Sequence, residues 1–320
     1  MDPANAGAGT RISLKPTVPR PAPSDVLFML TVGAMWGLHG PLLKLAYRAG
    51  LNFALVSVGE YALATLAFAL ACWVGRVPWP REDRGFWLRM LLGGLVGSGV
   101  VLFLFWSYQL GPVPVGATLL FLYVPFTSIL AALVHRRWPP VREIVSVCLV
   151  TAGAVLATDF MGSTSPDSLK GAPQAVLAAL CFAGFFMISA GLGNRSTPLF
   201  RSFFFSALSG LILLVVTLAA GWSLSAPATG VWGTVLWLSL LSGVGQLVPV
   251  FLMMKSAHRL GGGLGSILTS LELPVAVGLS ALMLGDPLRL SQLGGIALII
   301  AGIALPHLRL GPVPASAASE

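Results

Sequence analysis

Apolar residues in this chain do not alternate with polar ones in the period of a strand, nor do they keep to one face of a helix. They run on. Almost uninterrupted apolar stretches occupy about 26–48, 52–74, 86–108, 113–135, 142–160, 171–192, 199–220, 229–254, 262–284 and 291–308. Each is near the ~20 residues an α-helix needs to cross a hydrocarbon core about 30 Å thick. A helix that is apolar all round belongs in lipid or in a buried core, so ten membrane-spanning helices are expected. The separators carry helix breakers: Gly75 to Arg84 with two prolines, Arg136 to Pro140, Ser163 to Lys170, Asn194 to Pro198, and Asp286 with Pro287.

Composition agrees and narrows the class. Of 320 residues 56% are hydrophobic and only 9% charged, against about a quarter charged in an ordinary soluble domain. That excludes a water-soluble protein and leaves no length for a sizeable soluble domain. Residues 1–25, with Pro3, Pro16, Pro19, Pro21 and Pro23, read as a disordered tail, as do residues 309–320. No early apolar segment ends in an Ala-x-Ala site, so no cleaved signal peptide is expected. Cys72, Cys148 and Cys181 lie singly in separate apolar runs, which favours packing over disulfides or metal. Gly261-Gly262-Gly263-Leu264-Gly265 follows no strand, and no GxxxxGK[ST] occurs. Neither a dinucleotide nor a built-in ATPase is indicated, and no cofactor or metal is expected.

The formal charge of +8 would suggest nucleic acid in a soluble protein. Here its distribution matters more. Of the 19 basic residues, fifteen fall on the side of the ten-span layout that holds the N terminus, and only Lys44, Arg48, Lys170 and Arg289 on the other. Because cytoplasmic loops retain positive charge, both termini are expected in the cytoplasm, with a bacterial inner membrane as the site. No nucleic-acid partner is implied.

The second half repeats the first. Ser107-Tyr108-Gln109-Leu110-Gly111 aligns with Ala257-His258-Arg259-Leu260-Gly261, Gly116 with Gly265, Pro125 with Pro274, and Ala152-Gly153 with Ala301-Gly302, all at an offset near 150. The halves, 26–162 and 163–308, then hold five helices each. An odd number gives them opposite polarity in the membrane, the inverted-repeat plan of many secondary transporters. The fold class expected is therefore all-α integral membrane, as two inverted five-helix repeats.

Pro274-Val275-Ala276-Val277-Gly278, Leu284-Gly285-Asp286-Pro287-Leu288, Gln292-Leu293-Gly294-Gly295 and Ala301-Gly302-Ile303 resemble the end of an EamA domain. Trp36-Gly37 resembles its start. That domain is the five-helix repeat of the drug/metabolite transporter superfamily. The resemblance covers nearly all of 26–308 as two copies, and it implies an exporter of small metabolites such as amino acids or amphipathic compounds. It departs at Arg136-Arg137, where the family usually carries an acidic residue, and at Glu60, near which it often carries Arg.

Within the helices a few residues carry candidate chemistry. Pro125 and Pro274 sit at matched depth and free the carbonyls of Phe121 and Ser270, which predicts paired kinks lining a cavity. Glu272 lies near the midplane, where a carboxylate either couples protons, binds a cationic group or makes an interhelical hydrogen bond. Lys44 and Glu60 fall at similar depths on adjacent helices and are expected to pair. His39, one turn deeper, is a candidate for a proton path or for a neutral interhelical bond. Trp36, Tyr123, Phe182 and Phe185 offer an aromatic wall, and Gln246, near Pro249, a polar lining group. The glycines of Gly33-x-x-x-Gly37 and Gly93-x-x-x-Gly97 read as helix-packing surfaces.

Two other classes compete. An intramembrane hydrolase would need Ser98 paired with a histidine such as His258, whose expected depths disagree. A superfamily exchanger of phosphorylated metabolites or nucleotide sugars would need basic groups in the core, whereas nearly all of them are assigned to loops. The sequence therefore favours a non-enzymatic secondary transporter working by alternating access, with proton coupling or facilitated diffusion as its two modes. Its expected partners are a small-molecule substrate and the lipid bilayer, and its expected state is a monomer or weak homodimer.

Overall fold

The computed structural model describes residues 22–111, 113–158, 169–193, 195–225, 230–285 and 289–307. The tails 1–21 and 308–320, the breaker at 163–168, Asn194, and the Asp286–Pro287 pair lie outside the described residues. Among the described residues all regular structure is helical. The first half comprises α1 (Pro23–Arg48), α2 (Phe53–Val74), α3 (Arg84–Leu110), α4 (Val113–Leu120), α5 (Tyr123–His135) and α6 (Val141–Ala157). The second comprises α7 (Ala172–Gly191), α8 (Pro198–Ala219), α9 (Gly230–Ser242), α10 (Val248–Leu260), α11 (Gly262–Thr269), α12 (Glu272–Leu284) and α13 (Leu290–Ala304). Eight helical stretches are long and apolar enough to cross a membrane, and α13 is a shorter apolar helix.

Local chemistry sets the helix starts. Asn52 caps α2 through the Leu55 N–H at 2.8 Å, Asp83 caps α3 through Phe86 N–H at 3.0 Å, and Thr197 caps α8 through Phe200 N–H at 3.2 Å. Each side chain satisfies a backbone donor that the helix leaves open, at a gain of about 1 kcal/mol.

Three prolines interrupt what the hydrophobic pattern reads as continuous spans. Pro125 cannot donate to Phe121, and the rod 113–135 is split there into α4 and α5; the Phe121 carbonyl accepts from Val124 N–H at 3.1 Å instead. Pro274 does the same to Ser270, whose carbonyl accepts from Leu273 N–H at 3.2 Å between α11 and α12. Pro249 withholds a donor from Gly245, and here the helix widens into a π turn over Gly243–Leu247 before continuing to Leu260.

The halves embrace each other reciprocally. α1 packs on α10, α11 and α12, while its counterpart α7 packs on α3, α4 and α5; α2 pairs with α8, and α6 with α13. The α6–α13 contact is self-complementary at the atomic level. Gly153 abuts the Gly295 carbonyl and the Ile299 side chain, and Gly302 abuts the Ser146 carbonyl and the Val150 side chain. Each of the first set maps onto the second at the repeat offset, and rising numbers on α6 meet falling numbers on α13. The two helices are antiparallel and related by a local two-fold. A Cβ at either glycine would come within 2.7 to 3.0 Å of its neighbours, so only glycine permits this approach.

Candidate functional site

The π turn brings four elements together. Its Gly245 carbonyl, deprived by Pro249, accepts a hydrogen bond from the Trp36 indole N–H of α1 at 3.0 Å. One turn further along α1, His39 Nε2 lies 2.9 Å from Glu60 Oε1 on α2. Both groups press on Gly245: a Cβ there would sit 2.6 Å from the imidazole Cδ2 and 3.2 Å from Glu60 Oε2. The Ser242 hydroxyl donates to the Glu60 backbone carbonyl at 2.9 Å, and Gln246 reaches the Tyr61 hydroxyl. The Glu60 side chain is 5% exposed and that of His39 22%. Burial lowers the local dielectric and strengthens the bond itself, while both groups give up water to make it.

Glu272 completes the polar set from the other half. It is the first residue of α12, where the positive end of the helix dipole favours a carboxylate by about 0.3–1 kcal/mol. It is half-buried and within electrostatic reach of His39. Gly37 of α1 lies against the Glu272 backbone carbonyl and Val275, and Gly33 against the Thr269 carbonyl. The small-residue face of α1 is thus seated on the broken stretch of the α11–α12 rod.

An aromatic wall adjoins these groups. Trp36 meets Phe182 with ring centroids 5.4 Å apart, Phe182 meets Tyr123 at 4.5 Å, and Tyr123 stacks on Phe186 at 5.5 Å. The Tyr123 hydroxyl reaches the Ser266 carbonyl at 3.4 Å and Thr269 Oγ1 at 3.3 Å, which ties the first half to α11. Trp36 joins the wall to the acidic groups, since its ring touches Phe182 while its N–H holds the π turn.

Most of the residues singled out in the sequence converge here: Trp36, His39, Glu60, Tyr123, Phe182, Gln246 and Glu272, with Pro125 and Pro274 at the two breaks. The Glu60 carboxylate is seen bonded to His39, and Lys44 lies exposed near the end of α1. Phe185 faces away from the wall and packs edge-on against Phe205 at 5.5 Å. Asp286 lies outside the described residues. Ser98 gives its hydroxyl to the Leu95 carbonyl of its own helix, and neither ring nitrogen of His258 has a hydrogen-bond partner, so the hydrolase dyad is not assembled. Arg201, counted among the loop charges, is wholly buried in the first turn of α8. Among the described residues no group of three or more His, Cys, Asp or Glu side chains is arranged to hold a metal. Surface cavities of about 550 Å³ beside Pro140–Glu143 and about 690 Å³ beside Cys72–Val77 do not involve the cluster.

The model of the EamA-like transporter family matches residues 24–158 and again residues 169–306. The chain belongs to this family. As an EamA-like transporter it carries two tandem copies of the repeat, and it is a multi-pass membrane protein. No curated protein matches its sequence. A solved structure described only as "Crystal structure of protein" is similar with a TM-score of 0.73 and 18% identity, covering 89% of this chain and 98% of the other. At that identity the likeness speaks for the fold alone.

Proposed function

We propose that this EamA-like transporter is a ten-span secondary transporter that exports amino acids or similar small amphipathic metabolites across the inner membrane by alternating access. The observation that carries the reading is the convergence of His39, Glu60 and Glu272, drawn from both halves, beside the Trp36–Phe182–Tyr123 wall. Two carboxylates favour an amino group or other cation, and the wall favours an apolar body. The local two-fold at α6–α13 supports inverted halves, because antiparallel equivalent helices require an axis perpendicular to the helix direction. On this reading the short α6 and α13 complete the ten spans, both termini lie in the cytoplasm, and the acidic set carries protons counter to the substrate. No enzymatic step is involved.

Reconstitution into liposomes tests it, with labelled amino acids and cationic amphiphiles, with and without a pH gradient. Substrate-dependent flux that falls at least tenfold in Glu272→Gln is the expected result. Absence of flux across a wide panel, or flux indifferent to both Glu60→Gln and Glu272→Gln, would remove the reading.

A further inference from the structure

At the opposite end of α10 from the π turn lies a second charged cluster, outside the candidate site. Asp25, in the first turn of α1, is fully buried, and its Oδ1 is 3.3 Å from Arg259 in the last turn of α10. Arg201, also fully buried, donates to the Gly193 carbonyl after α7 at 2.5 Å and to the Met254 carbonyl of α10 at 2.8 Å. His258 stands within electrostatic reach of Asp25, Arg201 and Arg259. Lys255 lies over the Phe28 ring, 4.7 Å from its centroid. On the same face Arg195 meets Asp83 at 3.2 Å, and Arg89 donates to the Gly191 carbonyl at 3.0 Å. The α1–α10 and α3–α7 bonds in this set join the first half to the second, and they cluster on the face that holds the N terminus of α1.

The network is conspicuously incomplete. Asp25 Oδ2, Arg201 Nε and both nitrogens of His258 are buried without a hydrogen-bond partner. A charged group buried only to hold a fold is normally saturated, because each unmet polar atom counts against the folded form. Unmet buried atoms beside a half-exposed Arg259 suit a contact that must open and re-form. α10 links this cluster to the candidate site: its 13 residues run about 20 Å from the π turn, where Trp36 and the His39–Glu60 pair hold Gly245, to Arg259. α1 makes the same journey from His39 back to Asp25.

We propose that Asp25 and Arg259, seated on Arg201 and His258, form a latch between the two halves that closes the N-terminal face of the bundle and releases when that face opens. α10 is the lever, hinged at the π turn. In this structure the latch is engaged.

Accessibility of a thiol behind the latch tests this without any substrate, so its outcome is separate from that of the transport assay. Met29 is one turn deeper than Asp25 and fully buried, and Ala46 is fully buried near the other end of α1. In a background with Cys72, Cys148 and Cys181 replaced by Ala, Met29→Cys or Ala46→Cys is introduced, and permeabilised proteoliposomes are treated with a membrane-impermeant maleimide. Asp25→Asn and Arg259→Gln are expected to speed labelling at position 29 about tenfold, the effect of weakening the closed form by one decade. Labelling at position 46 should not accelerate, and Asp25→Glu should label at the parent rate. Equal rates at position 29 in all variants would overturn the latch. Equal acceleration at both positions would show general loosening and overturn it too. Should Asp25→Asn fail to fold, the half-exposed Arg259 carries the same comparison through Arg259→Gln.

Discussion

His39 and Glu60 share one short bond, and the cost of disturbing it depends on what remains. Glu60→Gln keeps an acceptor for the imidazole but removes the charge, so transport should fall at least tenfold while thermal stability in detergent changes little. Glu60→Ala leaves His39 without its partner where the lost carboxylate was only 5% exposed, while Ser242 keeps the backbone carbonyl it donates to. The substitution should cost about 2 kcal/mol, visible as a lowered melting temperature. Gly245→Ala should reproduce the transport defect without touching either ionisable group, because its methyl would occupy the space of the imidazole edge. Normal flux in Gly245→Ala would mean that the pair is not needed. The participants were readable in the sequence as rare ionisable groups in apolar helices; their pairing was not. Depth places Glu60 between Lys44 and His39, and those two residues, five positions apart, point about 140° away from each other around α1. Which of them faces α2 is decided by how α1 sits on α11 and α12, a tertiary fact that no single helix encodes. Arg201 escaped for a related reason: near a helix start it looks like a loop charge, and only the carbonyls of Gly193 and Met254 explain its burial.

Among the elements, the interrupted rods matter most. Pro125 and Pro274 were legible as matched breaks, and the chain parts at the carbonyls they free. The π turn was not foreseen, although Pro249 followed Gly245 at the same spacing of four. Its widening depends on Trp36, an outside donor that the local sequence does not contain. Pro274→Ala restores the missing donor to Ser270 and should straighten α11–α12, moving Glu272 relative to His39. Transport should drop about tenfold with the fold intact, as read by unchanged elution and flux loss together. A smaller strain sits at the end of α5, where Arg136 adopts a left-handed φ of 49°; its counterpart at the end of α12 is Gly285 at 73°. Arg136→Gly should therefore stabilise the protein by about 1 kcal/mol, with a raised melting temperature as the readout.

For the molecule as a whole, the α6–α13 seam predicts symmetric sensitivity. Gly153→Ala and Gly302→Ala place methyl groups at two-fold-related points against carbonyls of Gly295 and Ser146, so each should destabilise by about 1–3 kcal/mol. A large effect from one and none from the other would show that the seam is not a reciprocal contact. The repeat itself was visible in the sequence from aligned Pro and Gly, since those residues are retained for backbone geometry. The chemistry of the halves was less visible because it has diverged.

That divergence bears on energetics. Two identical halves would make the forms open to either side equivalent by the two-fold rotation and equal in free energy, and a carrier built that way would have no resting side. Here Glu272 stands where the other half has Tyr123, both two residues before the matched prolines, and Gly37 meets Glu272 while Phe182 meets Tyr123. α7 and α8 contain no Asp, Glu or His to answer the His39–Glu60 pair. In the proposed cycle these inequalities are the free-energy difference between the two access states, so the resting orientation of the carrier is written at the few positions where its duplicated halves ceased to match.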